Sequence, residues 1–167
     1  KRHCKSGIRG MAMKFSTRED IEAPIEHVFA RVTDFQNFER QALRRGADVQ
    51  RIDSSLVPTE GSAWQFAFKF RGKDRKMKAT VAKLDAPNSL KFETIASGIH
   101  GMSTIELVAL SLNRTRISIE IDLTPQGLSA RLLLQSLKLA KTNLSRKFKL
   151  RVAEFAEDVE EGFARRS

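Results

Sequence analysis

The sequence predicts an α+β fold, in which a curved antiparallel sheet of about seven strands wraps around a long C-terminal helix and two short helices follow the first strand. Three observations support this prediction. Segments of alternating apolar and polar residues recur between turn signals, as in an antiparallel meander. Pro24 and Asp34 mark the starts of two short helices near the N-terminus. Residues 129–165 contain no proline and repeat apolar side chains at helical spacing.

The N-terminal part of the domain combines a strand with two helices. A first strand is predicted over residues 13–22, where apolar and polar positions mix. Two short helices are predicted over residues 24–40. Pro24 suits a helix start, because its missing N–H would have no intrahelical partner there. Phe35 and Phe38 give the second helix an apolar side.

The middle of the chain is predicted to be sheet. After a strand near residues 46–53, the clearest strand places four aromatic side chains on one face, namely Trp64, Phe66, Phe68 and Phe70. Further alternating segments follow over residues 77–82, 90–94, 102–110 and 117–123, with turns between them. These segments predict a meander whose apolar face needs a cover, and the long helix is the only element large enough to provide it.

The C-terminal segment is predicted to be one long amphipathic helix with Ser129 as its N-cap. Its charges are segregated, with bases but no acids over residues 131–151 and acids but no bases over residues 152–164. This order is opposite to the one that the helix dipole favours. A solvated outer face is the simpler explanation. The functional alternative is docking on an anionic membrane through Lys138, Lys141, Arg146 and Lys149.

Composition limits the class of protein. A chain of 167 residues with 41% hydrophobic residues is long enough for one domain with a substantial core. The lone Cys4 excludes an internal disulfide and a multi-cysteine metal centre, and no apolar run is as long as a membrane span. We therefore expect one cytoplasmic domain over residues 13–167, preceded by a basic flexible tail over residues 1–12.

The formal net charge of +10 raises the question of a nucleic-acid or membrane partner. Part of this charge comes from the predicted tail, which contains Lys1, Arg2, Lys5 and Arg9. Another part lies on the first half of the C-terminal helix. This distribution argues against nucleic acid as the partner, although a basic surface module stays among the alternatives.

Four local patterns, in their order along the chain, resemble one known family. They are IEAPIEHVF and VTDFQNF at residues 21–29 and 32–38, EGSAW at 60–64, LDAPNSLKF at 84–92, and Thr115-Arg116 before a hydrophobic strand and the long helix. Over residues 13–165 the chain resembles the START-like helix-grip superfamily, also called SRPBCC or polyketide cyclase/dehydrase and lipid-transport proteins. The resemblance implies a cavity for apolar or amphipathic small molecules such as lipids, quinones or polyketides, and it implies no single activity.

The predicted function is therefore binding or transport of a hydrophobic small molecule between the sheet and the C-terminal helix. The residues predicted to line the cavity are inward strand positions and the helix positions that face them: Trp64, Phe66, Phe68, Met77, Phe92, Thr94, His100, Ile119, Leu133, Leu137, Leu144 and Phe148. Ordinary core packing is the competing explanation for each of them. Thr94 and His100 are the members able to supply a polar contact.

No catalytic residue, metal ligand or cofactor is predicted. The sequence contains no His-Glu-x-x-His motif, no Gly-x-Ser-x-Gly motif and no tyrosine. A cyclase- or dehydratase-type enzyme acting in the same cavity is the second hypothesis. It requires titratable or hydroxyl side chains that converge in the cavity.

Overall fold

The computed structural model describes residues 12–55 and 57–166, and the strands within them form one seven-stranded antiparallel sheet. The strands are β1 Met13–Ile21, β2 Asp48–Arg51, β3 Ala63–Phe70, β4 Lys73–Asp85, β5 Ser89–Ala96, β6 Ile99–Ser111 and β7 Arg114–Pro125. Their order across the sheet is β1-β7-β6-β5-β4-β3-β2. The predicted first strand and the meander after the two helices are confirmed. The predicted tail over residues 1–12, apart from Ala12, lies outside the described residues.

Two short helices follow β1, as predicted: α1 Ile25–Val32 and α2 Phe35–Arg44. Pro24 occupies the N-cap position of α1 with an extended backbone. The side chain of Asp34 caps α2, because its Oδ1 accepts a hydrogen bond from the backbone N–H of Asn37 at 3.2 Å. Both signals therefore mark helix starts, although Pro24 lies one residue before the first helical position at which the sequence predicted it.

The C-terminal segment differs from the prediction of one continuous helix. It forms α3 Leu128–Leu139 and α4 Lys141–Arg166, with a break at Ala140. The N–H of Ala140 bonds to Leu137 O, three residues back, instead of to the carbonyl four residues back. The break lets the two helices lie on different parts of the sheet, so that α3 packs on β7 while α4 packs on β1 and α1.

The apolar interior divides into two clusters on the inner face of the sheet. The first core cluster joins α1, α2 and the later turns of α4 to the sheet and includes Val28, Phe35, Trp64, Leu90 and Val159. The second core cluster contains Met13, Phe15 and Leu134, against which Leu137, Leu144 and Phe148 pack. The break at Ala140 makes the second cluster possible, because it places α3 over the β7 end of that face.

Candidate functional site

A cavity of about 790 Å³ lies between the inner face of the sheet, α2 and α4. Its volume falls within the roughly 300–1,000 Å³ range of pockets that hold small ligands. The lining consists of Arg31, Val32, Asn37, Phe38, Gln41, Ala42, Arg44, Arg45, Phe92, Ile105, Ile117, Ile119, Arg151, Glu154, Phe155 and Asp158. The cavity is thus formed by the end of α1, by α2, by the middle of α4 and by three central strands.

The floor of the cavity is apolar. It consists of Phe92 on β5, Ile105 on β6, and Ile117 and Ile119 on β7. Ile105 and Ile119 are direct partners in the β6–β7 register, so their side chains lie on the same face of the sheet. No hydroxyl, carboxylate or imidazole comes from the strands that form this floor, so it suits the apolar part of a ligand.

The helices and Arg45, the residue after α2, supply the polar side chains of the lining. Four guanidinium groups belong to Arg31, Arg44, Arg45 and Arg151, two carboxylates to Glu154 and Asp158, and two amides to Asn37 and Gln41. Between these polar groups, the rings of Phe38 on α2 and Phe155 on α4 face each other with centroids 6.2 Å apart. The cavity therefore has an apolar floor and a charged rim.

α2 forms one side of the cavity, and Trp64 on β3 contacts that helix. The indole Nε1 of Trp64 donates a hydrogen bond to Glu39 Oε1 on α2 at 2.5 Å. The ring of Phe35 packs edge-on against the indole, with centroids 4.9 Å apart. Trp64 is only 4% exposed, so this bond satisfies a donor that burial would otherwise leave without a partner.

A charged network extends this support to β2. The guanidinium of Arg51 lies 4.8 Å from the centroid of the Trp64 ring and 3.8 Å from Glu39 Oε1. The same group donates to Asp53, with Nε 2.5 Å from Oδ1 and Nη2 3.2 Å from Oδ2. Asp53 Oδ1 also accepts the N–H of Ala63. The hydrogen bonds from Arg51 and Ala63 hold the pKa of the Asp53 carboxyl well below its usual value.

A second ion-pair group fixes the opposite edge of the sheet. Asp20 on β1 accepts hydrogen bonds from Arg116 Nε at 2.7 Å and from Arg114 Nη2 at 3.2 Å, both on β7. The bond from Arg116 contributes most to holding the pKa of Asp20 below its usual value. The buried hydroxyl of Thr115 donates to Ala23 O at 2.8 Å, which ties the start of α1 to β7.

The structure places two of the predicted site residues, Phe92 and Ile119, in the lining of this cavity. Trp64 belongs to the first core cluster and supports α2, and Phe66 packs against the same cluster. Leu137, Leu144 and Phe148 pack in the second core cluster. Phe68, Met77 and Leu133 are half-buried and do not line the cavity.

Thr94 lies on the inner face but outside the cavity lining, opposite Gly101 in the β5–β6 register. A Cβ at Gly101 would collide with Thr94 Oγ1 and approach Leu123 Cδ2 to 3.1 Å. Gly101 is itself buried. Thr94 is therefore packed tightly against the backbone of β6, where only glycine leaves room for its hydroxyl.

His100 requires a correction, because its side chain does not reach this cavity. The turn between β5 and β6 is tighter than expected, with positive φ at Ser97 and Gly98, so β6 begins at Ile99. His100 therefore lies within the strand, and its Nε2 is 3.2 Å from Glu93 Oε1. Glu93 neighbours the cavity residue Phe92, and alternation puts it and His100 on the opposite, outer face.

Sequence reasoning missed the contribution of α2 and of the rim. Asn37, Gln41, Ala42 and the pair Arg44-Arg45 were not among the predicted site residues, although Phe38 was recognised as apolar. One signal was available, because α2 is amphipathic and its apolar side has to face the sheet. The spacing of residues within α2 does not determine the distance between α2 and α4.

Arg151 lines the cavity, but three other basic residues of the C-terminal segment lie apart from it. Lys141, Arg146 and Lys149 surround a depression of about 440 Å³ near the start of α4, together with Thr142 and Ser145. In the preceding helix, α3, three large apolar side chains are exposed: Leu128, Leu132 and Leu139 are 72%, 59% and 93% exposed. Exposed apolar side chains thus occur along α3, and basic ones along the first turns of α4.

Two further features concern only the part of the chain that the structure describes. No group of three or more His, Cys, Asp or Glu side chains there is arranged to hold a metal ion. None of the helices there combines the length and the apolarity needed to cross a membrane.

Several solved structures are similar to this one. Zhui aromatase/cyclase from Streptomyces sp. R1128 gives a TM-score of 0.62 at 11% identity, covering 89% of this chain and 94% of that chain. A Thalictrum flavum norcoclaurine synthase point mutant in complex with a transition-state analogue gives 0.63 at 13% identity, covering 90% and 96%. A START superfamily protein from Mycobacterium smegmatis gives 0.55 at 11% identity, covering 84% and 97%. At these identities the likeness establishes the fold alone.

No curated protein matches the chain. The profile of the family described as polyketide cyclase / dehydrase and lipid transport matches residues 12–160, which include the whole sheet and most of α4. The chain therefore belongs to the polyketide cyclase/dehydrase and lipid-transport family.

Proposed function

We propose that this protein binds a hydrophobic or amphipathic small molecule in the cavity between the sheet, α2 and α4. The observation that carries the proposal is the 790 Å³ space with an apolar floor made of Phe92, Ile105, Ile117 and Ile119. Burying apolar ligand surface against such a floor gains roughly 25 cal/mol for each Å² removed from water. The family supports the same reading, because its description includes lipid transport.

The test is a variant that fills the cavity. Ile119→Trp adds a bulky ring to the floor, and Val108→Trp adds the same ring to an exposed position on β6 as the matched control. We expect the purified protein and the Val108→Trp variant to bind dodecanol or to retain co-purified lipid in native mass spectrometry. Ile119→Trp should lose at least tenfold in affinity while keeping its circular dichroism spectrum. Equal binding by both variants would contradict the proposal.

A second candidate function is chemistry in the same cavity, of the cyclase or dehydratase type. The observation that favours it is the presence in the lining of two carboxylates, Glu154 and Asp158, one turn apart on α4. One of the similar structures is named an aromatase/cyclase. A polyketide-like substrate should then be consumed by the protein but not by Glu154→Gln/Asp158→Asn, which still binds it. Equal rates for both proteins would dismiss this candidate.

A third candidate concerns the surface of α3 and α4, not the cavity. We propose that this face docks on an anionic membrane, with Leu128, Leu132 and Leu139 entering the interface and Lys138, Lys141, Arg146 and Lys149 beside the head groups. A base near an anionic surface contributes about 1 kcal/mol of binding energy. The exposed leucines are what distinguishes this face from an ordinary solvated one.

Vesicle sedimentation tests this surface. The protein should bind vesicles of phosphatidylserine and phosphatidylcholine more strongly than vesicles of phosphatidylcholine alone, also after deletion of residues 1–12. Leu132→Asp/Leu139→Asp should abolish this binding. Leu112→Asp, at a comparably exposed leucine, should preserve it. If the stronger binding to phosphatidylserine vesicles disappears when residues 1–12 are deleted, it is due to the N-terminal residues and not to this face. The cytoplasmic compartment stays a prediction from the sequence.

A further inference from the structure

The rim of the cavity carries more positive than negative charge, and this excess bears on the class of ligand. Four arginines and two carboxylates line the cavity, and they all come from α1, α4 and the region of α2. The floor beneath them contains only apolar side chains. A molecule that fills the cavity would thus place its apolar part on the sheet and its polar end among the guanidinium groups.

The four rim arginines are available for a ligand. None of Arg31, Arg44, Arg45 and Arg151 forms an ion pair or a side-chain hydrogen bond with another described residue. Elsewhere in the structure, Arg51 and Arg116 are held by carboxylates at 2.5 Å and 2.7 Å. Arg51 and Arg116 are thus neutralised by ion pairs, whereas the rim arginines form none with the described residues, although Glu154 and Asp158 line the same cavity.

The position of Arg31 is supported by a glycine on the neighbouring helix. A Cβ at Gly162 of α4 would lie 2.9 Å from Arg31 Nη1, the end of a flexible side chain, so a larger residue there would displace the guanidinium from its present position. Glycine inside a helix costs about 1 kcal/mol relative to alanine. Gly162 lies four residues before the end of α4, and it leaves space for the Arg31 side chain between α1 and α4.

We infer that the ligand is an anionic amphiphile, whose apolar body lies on the isoleucine floor and whose carboxylate or phosphate group binds the rim arginines. This inference rests on the proposed binding function. Guanidinium groups bind carboxylate and phosphate oxygens through paired, charge-assisted hydrogen bonds, which an ammonium group cannot match in geometry. Glu154 and Asp158 also face the cavity, and they disfavour an anion without cancelling four positive charges.

The test compares probes that share one apolar chain. Dodecanoate, dodecyl phosphate, dodecanol and dodecyltrimethylammonium are titrated into the protein below their aggregation concentrations, and heats of binding are measured. We expect dodecanoate or dodecyl phosphate to bind about tenfold more tightly than dodecanol. The two anions distinguish a carboxylate from a phosphate head group. The preference should shrink as salt is added, because the rim is partly exposed.

Variants then locate the effect. Arg44→Gln/Arg45→Gln should weaken anion binding about tenfold and leave dodecanol binding within about twofold. Arg40→Gln removes a charge from an exposed position of the same helix that does not line the cavity, and it should have little effect. Glu154→Gln should strengthen binding of the anions, because it removes an opposing charge from the rim.

The outcomes separate the two proposals. If dodecanol binds as tightly as the anions, or if Arg40→Gln weakens the anions as much as the double variant, the assignment to the rim arginines is overturned while the binding function stands. If no probe binds and Ile119→Trp changes nothing, the binding function fails and the anionic ligand fails with it. The inference is supported if the preference for anions is lost in Arg44→Gln/Arg45→Gln but kept in Arg40→Gln.

Discussion

Two regions of the sheet's inner face have similar side chains but are covered differently by the helices. At the β1–β7 end, Phe15 and Met13 meet Leu134 of α3, and Leu134 is only 1% exposed. At the centre, Phe92, Ile105 and Ile119 face a cavity of about 790 Å³ beneath α2 and α4. Alternation in the sequence shows which side chains point inward. Whether a space is filled depends on where the helices cross that face.

The largest predicted effect concerns the filled region. Leu134→Ala removes a fully buried side chain from the second core cluster and should lower the free energy of unfolding by about 3 kcal/mol. Urea denaturation measures it. Leu132→Ala, on the same helix but 59% exposed, is the control and should cost well under 1 kcal/mol. Equal losses of stability in Leu134→Ala and Leu132→Ala would mean that α3 does not cover the β1–β7 end of the inner face.

A smaller effect is expected from the same truncation at the cavity floor. Ile119 already borders empty space on one side, so Ile119→Ala loses fewer contacts and should cost about 1–2 kcal/mol. The difference between the Leu134 and Ile119 variants, measured under one set of denaturation conditions, quantifies how differently the two regions are packed. A loss at Ile119 that matches the one at Leu134 would argue that the floor is ordinary core.

A third prediction concerns the bond that positions α2 over the cavity. Glu39→Ala leaves the buried Nε1 of Trp64 without an acceptor and should cost about 1–2 kcal/mol of stability. Glu39→Gln keeps an oxygen in place and should retain more of the stability. If binding of the dodecyl probes weakens in Glu39→Ala and recovers in Glu39→Gln, then α2 sets the width of the cavity. Unchanged binding in both variants would remove that role.

The smallest predicted effect is a change in how the stability of the fold depends on pH. The folded protein holds the pKa of Asp53 below its usual value, so this carboxylate contributes stability above the usual pKa and loses the contribution as pH falls. Thermal midpoints measured between roughly pH 5 and pH 2 should therefore fall less steeply for Asp53→Asn than for the unmodified protein.

Asp48→Asn serves as the control, because Asp48 lies on the same side of the molecule in β2 and is exposed, without an ion-pair partner among the described residues. Its slope should match that of the unmodified protein. Parallel slopes for all three proteins would show that Arg51 and Asp53 do not contribute to acid stability.

Much of the fold was predictable because its signals are local. Alternation defined the strands, and Pro24 and Asp34 marked the starts of the two short helices. The break at Ala140 was not predictable, since neither glycine nor proline stands there and the apolar spacing continues across it. His100 was misplaced because the turn at Ser97 and Gly98 starts β6 three residues earlier than expected, and the alternation then places His100 on the other face.

The cavity was predictable in kind but less so in its residues. Phe92 and Ile119 were identified from their inward positions. The rim depends on contacts between segments far apart in sequence, such as Arg31 beside Gly162 or Glu39 beneath Trp64. Arg44 and Arg45 look like solvated helix charges in the sequence alone, and only the approach of α2 to α4 brings them beside an apolar floor.

Trp64 gives the molecule a built-in optical probe. It is the only tryptophan in a chain without tyrosine. Fluorescence excited at the long-wavelength edge of the protein's absorption therefore comes almost entirely from this one indole. That indole lies against Phe35 and the Glu39 carboxylate, both on α2, which would shift if the helix moved, and against the Arg51 guanidinium on β2. Displacement of α2 on ligand entry should therefore change the emission maximum and the excited-state lifetime, without any attached dye.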